Sequence, residues 1–166
     1  MATVTATPTR ERTTAPAVRT CYDLLEVMRA AGMTDFTDGK YVNGRNDRAA
    51  YLAAQARQAD YLLDQACCGP GTRLLDIGCG YGRIVEHALN RGATAMGITI
   101  STPQVTSCRA RGLDVHEVNY RDIFSKPSWE HSFDAIVANG SLEHFAQVAD
   151  AAAERTDEIY KEMFAI

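Results

Sequence analysis

The stretch "RLLDIGCGYGR", residues 73–83, decides the fold. It opens with a short apolar run around Asp76 and continues with three glycines at alternate positions: Gly78, Gly80 and Gly82. The apolar run predicts a buried strand. The glycines predict a tight turn in which the backbone passes close to a ligand, since no Cβ stands in the way. The helix expected next would point free amide N–H groups at the same place. We therefore expect a ligand at the carboxyl end of this strand.

Strands and helices alternate from this stretch onward. Apolar runs predict four strands, at residues 73–77, 94–99, 113–118 and 133–138. Helical spacing predicts helices at residues 81–90, 103–111 and 146–164. Such alternation indicates βαβ units with right-handed crossovers. The sequence thus predicts an α/β fold, a Rossmann-like doubly wound parallel sheet with strand order 3-2-1-4.

The chain before residue 72 has a different composition. Residues 1–19 are rich in Thr, Ala, Pro and Arg and lack the amphipathic pattern of a transit peptide, so they predict a disordered tail. Thr20 is a candidate cap for a helix over residues 21–32, and Asn46 or Asp47 for a longer helix that ends before residues 69–71. We expect residues 20–71 to form an N-terminal helical lid ahead of the main domain, residues 72–166.

Composition and charge exclude several classes of protein. The net charge of −4 provides no general attraction for nucleic acid. No window approaches the roughly 18 apolar residues of a membrane span, so we expect at most peripheral membrane contact. The five cysteines are odd in number and include no Cys-x-x-Cys pair. This pattern indicates reduced thiols in a cytoplasmic protein, without a metal site.

The glycine spacing bears on the identity of the ligand. A dinucleotide site has the pattern G-x-G-x-x-G and an acid about 20 residues further on. Here Arg83 replaces the third glycine of that pattern, and residues 98–101 contain no acid. Both features disfavour NAD, although an NAD(P)-binding oxidoreductase stays an alternative. A glycine turn with a purely structural role is a second alternative.

Several short motifs resemble a known family. The stretch "LLDIGCGYG" resembles motif I of the class I S-adenosylmethionine (SAM) methyltransferases. "GITIS" followed by Gln104, the "YRD" at 120–122 and the "NGSLEHF" at 139–145 are similar to the cyclopropane-fatty-acid synthase branch of that superfamily. The resemblance covers residues 39–166. It implies a SAM-dependent methyltransferase that acts on a carbon of an unsaturated lipid or similar small molecule.

The resemblance also implies roles for individual residues. The glycine loop would lie under the methionine part of SAM, with Asp76 at its ammonium group. Thr99 and Gln104 would hold the ribose diol, in place of the acid found in most class I enzymes. The remaining cofactor-binding candidates lie after the third and fourth strands: Arg121 beside the adenine ring, Asp122 at its amino group, and Asn139.

The "LEHF" segment contains the candidate catalytic residues, Glu143 and His144. Glu143 matches a glutamate that helps to bind bicarbonate in the synthases, where the ion removes a proton after methyl transfer to an alkene. The alternatives are a carboxylate favoured by a helix dipole for Glu143 and a packing role for His144. Residues 36–47, "FTDGKYVNGRND", differ from the Tyr-rich and Cys-containing segment of the synthases.

The fourth predicted strand raises a question of completeness. Its apolar residues are typical of a strand that is covered on both faces, yet it would form an edge of the sheet. We therefore expect the chain to be part of a longer domain and the exposed strand to favour self-association. A non-catalytic SAM-binding remnant is thus an alternative to the enzyme.

Overall fold

The computed structural model describes residues 14–31, 38–42, 44, 47–125, 129–145 and 155–163. Four strands form one parallel sheet: β1 (Arg73–Ile77), β2 (Thr94–Thr99), β3 (Val115–Glu117) and β4 (Ala135–Val137). The helices are α1 (Thr14–Ala30), α2 (Arg48–Gln65), α3 (Arg83–Asn90), α4 (Thr102–Ala110) and α5 (Thr156–Met163), with 3₁₀ helices at Tyr120–Ser125 and Leu142–His144. The strand order β3-β2-β1-β4 confirms the predicted doubly wound sheet.

Both faces of the sheet are covered by apolar side chains. One face packs against helices α3 and α4, with α2 behind α3, and its core includes Leu74, Val85 and Val115. The opposite face carries Leu75, Ile77 and Ile98, together with Ile123 and Phe145 from the segments that follow β3 and β4. Neighbouring residues of β1 thus point to opposite cores, as the period of two in a strand requires.

Element boundaries agree best with the sequence in the centre of the sheet. Strands β1 and β2 have the predicted bounds. Strands β3 and β4 are shorter than predicted, because each is an edge strand that pairs with one neighbour over three residues. Helix α3 begins at Arg83 rather than Tyr81, since the glycine turn extends to Gly82. Of the helix predicted at 146–164, residues 146–154 and 164 lie outside the described part of the chain.

The N-terminal helices differ more from the prediction. Helix α1 begins at Thr14, inside the segment predicted as a disordered tail, and residues 1–13 lie outside the described part. Pro16 sits in its first turn, where the missing N–H costs nothing. Asp47 caps α2, since its Oδ1 accepts from the Ala50 amide at 2.9 Å, whereas Asn46 lies outside the described part.

Helix α1 also presents apolar side chains to solvent. Leu24 and Val27 are 62% and 68% exposed, and Met28 is exposed as well. The inward side carries polar residues instead, described below. Among the described helices, none has the length and apolar character needed to span a membrane.

Candidate cofactor site

The glycine loop connects β1 to α3 at the carboxyl edge of the sheet. The φ angles of Gly78, Gly80 and Gly82 are 79°, 54° and 76°, in the left-handed region that favours glycine. The amides of Gly78 and Cys79 both donate to the Ile98 carbonyl, each at 2.9 Å. The loop is therefore held against the end of β2, and its three glycines are required by the backbone conformation.

The surroundings of the three glycines differ. A Cβ on Gly78 would lie 2.4 Å from Cβ of Ser141, and a Cβ on Gly82 would lie 2.7 Å from Cδ1 of Leu113. Packing within the protein accounts for these two positions. A Cβ on Gly80 would meet no described atom within 4 Å. Gly80 is thus the position at which the loop backbone faces open space and is available to a ligand.

Asp76 lies at the end of β1, directly before the loop. It is 2% exposed, and burial raises the pKa of its carboxyl group to about 7. Its Oδ1 atom accepts no hydrogen bond from the described residues. An unsatisfied carboxylate oxygen in a protein interior is costly unless a donor reaches it. The position is therefore suited to a ligand that carries a positively charged donor.

The end of β2 carries a buried network of hydrogen bonds. The Thr99 hydroxyl donates to Oε1 of Gln104 at 2.6 Å, and the Ser101 amide donates to the Thr99 hydroxyl oxygen at 3.3 Å. All three residues are buried. The two predicted ribose-binding residues are thus in contact with each other, and Thr99 fixes the orientation of the Gln104 amide.

The polar side of helix α1 crosses this edge of the sheet. Asp23 Oδ1 accepts from the Ser101 hydroxyl at 2.6 Å, next to β2. One turn later, Glu26 accepts from the Tyr81 hydroxyl in the glycine loop, and the Arg29 guanidinium lies 4.3 Å from the centre of the Tyr81 ring. Burial and the hydrogen bond to Glu26 raise the pKa of Tyr81 to about 12. Helix α1 is therefore attached to the site by polar contacts.

The residues after β3 form a separate cluster. The ring of Tyr120 stacks on that of Phe145 with 4.1 Å between centroids, and its hydroxyl donates to the Phe145 carbonyl at 2.7 Å. Arg121 Nε donates to the Tyr120 hydroxyl at 2.7 Å. Asp122 is exposed on the same 3₁₀ helix. The two predicted adenine-binding residues therefore lie at the edge of the site, with Arg121 held by the Tyr120–Phe145 pair.

The last group of candidate residues follows β4, at the carboxyl edge of the sheet. Asn139 Oδ1 accepts from Nε2 of Gln58 on α2 at 3.4 Å. Glu143 and His144 are exposed on the short 3₁₀ helix, and the His144 ring contacts that of Tyr22 edge to face, with 6.2 Å between centroids. Burial, and secondarily the charge of Glu143, raise the pKa of Tyr22. The candidate catalytic residues thus face α1.

The structure brings the predicted residues to one edge, since each lies at or after the carboxyl end of a parallel strand. It adds residues that sequence reasoning missed: Tyr22, Asp23 and Ser141. Ser141 donates to the Ile77 carbonyl at 2.6 Å and packs on Gly78. A sequence signal for α1 was available, because its polar residues recur at helical spacing on one side: Tyr22, Asp23, Glu26 and Arg29.

Comparison with protein families gives a match over most of the chain. The model described as mycolic acid cyclopropane synthetase matches residues 11–164. Cyclopropane mycolic acid synthase 2 of Mycobacterium tuberculosis is 34% identical over 116 residues, which are 67% of this chain and 38% of that protein. The cyclopropane-fatty-acyl-phospholipid synthase of Escherichia coli is 35% identical over 97 residues, 55% of this chain and 24% of that protein. The chain therefore spans well under half the length of both relatives.

Solved structures support the same fold. The mycolic acid cyclopropane synthase CmaA1, complexed with SAH and CTAB, aligns with a TM-score of 0.66 and 21% identity, over 87% of this chain and 52% of that one. The 4+2 cyclase SpnF aligns with a TM-score of 0.57 and 30% identity, over 72% of this chain and 47% of that one.

Proposed function

The chain belongs to the mycolic acid cyclopropane synthetase family, and on that premise we propose that it binds SAM at the carboxyl edge of its sheet and takes part in methyl transfer. The acceptor is a carbon atom of an unsaturated lipid or a similar small molecule. The reported relatives include cyclopropane synthases of mycolic acids and of fatty-acyl phospholipids, which supports an acceptor of this class. This family assignment favours the methyltransferase over the NAD(P)-dependent alternative.

One observation carries the proposal: a buried carboxylate with an unsatisfied oxygen, Asp76, lies four residues before Gly80, whose backbone faces open space. The ammonium group of SAM fits the Oδ1 atom of Asp76, because a positively charged donor favours the ionised carboxylate. Gly80 leaves room for the methionine part. Thr99 and Gln104 would bind the ribose, and the adenine would lie toward Arg121 and Asp122.

SAM, when bound, supplies a methyl group that is already activated on a sulfonium sulfur. The protein then has to orient the acceptor, exclude water and remove a proton. Orientation alone can lower the barrier by several kcal/mol. Methyl addition to an alkene leaves a carbocation, which must lose a proton to a base. The resemblance gives this role to bicarbonate, and we propose that Glu143 helps to hold that ion, with His144 beside it. The participation of bicarbonate stays a prediction, which rests on the family resemblance around Glu143.

The experiment has two stages. Calorimetry with S-adenosylhomocysteine (SAH) tests binding, and incubation with labelled SAM and a lipid extract tests transfer. We expect Glu143→Gln to keep SAH affinity and to lose transfer. Glu130→Gln, which changes an exposed glutamate between β3 and β4, should keep both. Absence of SAH binding would contradict the proposal. Binding without transfer would favour the alternative, a SAM-binding module without catalysis.

Two further expectations stay predictions. Strand β4 lies at an edge of the described sheet, and its free backbone groups favour association with a second copy. Sedimentation of the chain at increasing concentration tests this. The cytoplasmic location rests on the five cysteines, all of which are free thiols.

A further inference from the structure

The buried network at the end of β2 is formed by Thr99, Ser101 and Gln104 and contains no charged acceptor for a ribose. A ribose diol has two hydroxyl groups that donate hydrogen bonds and therefore need acceptor oxygens. Gln104 Oε1 already accepts from Thr99, and the Thr99 oxygen already accepts from the Ser101 amide. The amide nitrogen of Gln104 is a donor only. The β2 end thus provides a donor and two neutral oxygens that already accept one hydrogen bond each, so a carboxylate acceptor has to come from another element.

Two carboxylates near this edge are already engaged. Glu117, at the end of β3, accepts from Arg19 at 2.9 Å with one oxygen and from Thr102 at 2.8 Å with the other. Glu26 accepts from the Tyr81 hydroxyl in the glycine loop. Neither is placed to replace an acid at the end of β2.

Asp23 of helix α1 differs from both. Its Oδ1 accepts from the Ser101 hydroxyl at 2.6 Å, and Ser101 is 0% exposed and lies two residues after Thr99. This bond holds the carboxylate next to the Thr99–Gln104 pair. Within the described residues, Oδ2 of Asp23 accepts no hydrogen bond. Asp23 therefore carries a fixed, half-buried acceptor oxygen beside the end of β2.

We propose that Asp23 accepts a hydrogen bond from the ribose diol of bound SAM, and thereby supplies from helix α1 the acid that is missing from the end of β2. The inference rests on the proposed function, because it assigns a residue to the same cofactor. It makes α1 a part of the binding site: the diol would be held between Gln104 on one side and Asp23 on the other.

The test compares two ligands by calorimetry on the full chain: SAH, and an SAH analogue that lacks both ribose hydroxyls. Asp23→Asn is the informative variant, because its amide oxygen can still accept from Ser101 while the second acceptor is lost. We expect this variant to bind SAH about tenfold more weakly, the effect of one hydrogen bond to a charged group. Its affinity for the deoxy analogue should match that of the unchanged chain.

The matched control is Glu26→Ala, which weakens another anchor of α1 without touching the network at β2. It should reduce the affinities for both ligands by the same factor. Asp23 would have only a structural role if Asp23→Asn also weakened both ligands equally, and the inference would then fail while the proposed function stands. An unchanged chain that does not bind SAH would overturn both.

Discussion

An aspartate lies at each end of strand β1, and the two aspartates have opposite surroundings. At the amino end, Asp134 lies beside Arg73, which donates to it from Nε at 3.0 Å, from Nη2 at 2.8 Å and from its backbone amide at 2.8 Å. These bonds lower the pKa of Asp134 to about 2. At the carboxyl end, Asp76 is buried with an unsatisfied oxygen, and its pKa is raised to about 7.

Strand β1 is five residues long. The aspartate at its amino end has a protein partner, whereas the carboxylate oxygen at its carboxyl end has none among the described residues. Arg73 donates three hydrogen bonds to the exposed aspartate, so nothing else is needed at the amino end. The buried aspartate opposes folding in its ionised form, because no described donor compensates its desolvation. Groups with strongly shifted pKa values are concentrated at functional sites, which makes Asp76 a candidate partner for a ligand. The comparison predicts that substitutions at the carboxyl end change ligand binding, whereas those at the amino end change stability alone.

The largest expected effect concerns the glycine loop. Gly80→Val should abolish SAH binding, because the side chain would occupy the open space above the loop, while the fold survives a backbone strain of about 1–2 kcal/mol. Gly78→Val should instead disrupt the fold, since its Cβ would overlap Ser141. Calorimetry and thermal unfolding of each variant measure the two effects.

A matched control separates the effect of backbone strain from the effect of blocking the space that the ligand would occupy. Gly112 has a φ of 79° and also faces open space, but it lies in the turn after α4. Gly112→Val should therefore cost similar stability and leave SAH affinity unchanged. Retention of SAH affinity in Gly80→Val would remove the glycine loop from the site.

The next effect is a dependence of stability on pH. The folded pKa of Asp76, about 7, lies above its ordinary value of 3.8, so the folded state binds more protons than the unfolded state between these values. The free energy of unfolding should fall by about 4 kcal/mol as the pH rises through this window. Asp76→Asn should remove that slope in urea titrations between pH 4 and about pH 8.

Addition of SAH provides a second test of the pH dependence of the free energy of unfolding. Saturating SAH should flatten the slope in the unchanged chain, because its ammonium group favours the ionised carboxylate. A slope that is equal in the unchanged chain and in Asp76→Asn would show that Asp76 does not titrate in this range. Its role as the ammonium partner would then lose its physical basis.

The smallest effect is expected at the amino end of the strand. The folded pKa of Asp134 lies below its ordinary value, so its contribution to stability is present above about pH 4 and is lost as the pH falls toward 2. The pair with Arg73 is solvent-exposed, and such pairs contribute little. Asp134→Asn should lower the unfolding temperature slightly at pH 7 and leave SAH affinity unchanged. A loss of SAH affinity would contradict the division of roles along β1.

Local sequence patterns were sufficient to predict the strand order of the sheet and the bounds of its two central strands. The strand order and the bounds of β1 and β2 followed from apolar runs and glycine turns, because central strands are buried on both faces and their residues are apolar without interruption. The edge at which the candidate site residues lie followed too, since the carboxyl ends of parallel strands meet at one edge. The ends of β3 and β4 were predicted too long, because at an edge the pairing with a single neighbour limits the strand.

The sequence by itself determined the fold class, the glycine loop and the family of the chain. Only the tertiary structure decided that Gly78 and Gly82 pack against Ser141 and Leu113 while Gly80 stays open. It also decided that α1 turns its polar side inward, so that Asp23 meets Ser101, 78 residues away in the chain. The physical reason is that periodicity assigns residues to a common face of a helix, whereas the partner of that face depends on contacts between distant segments.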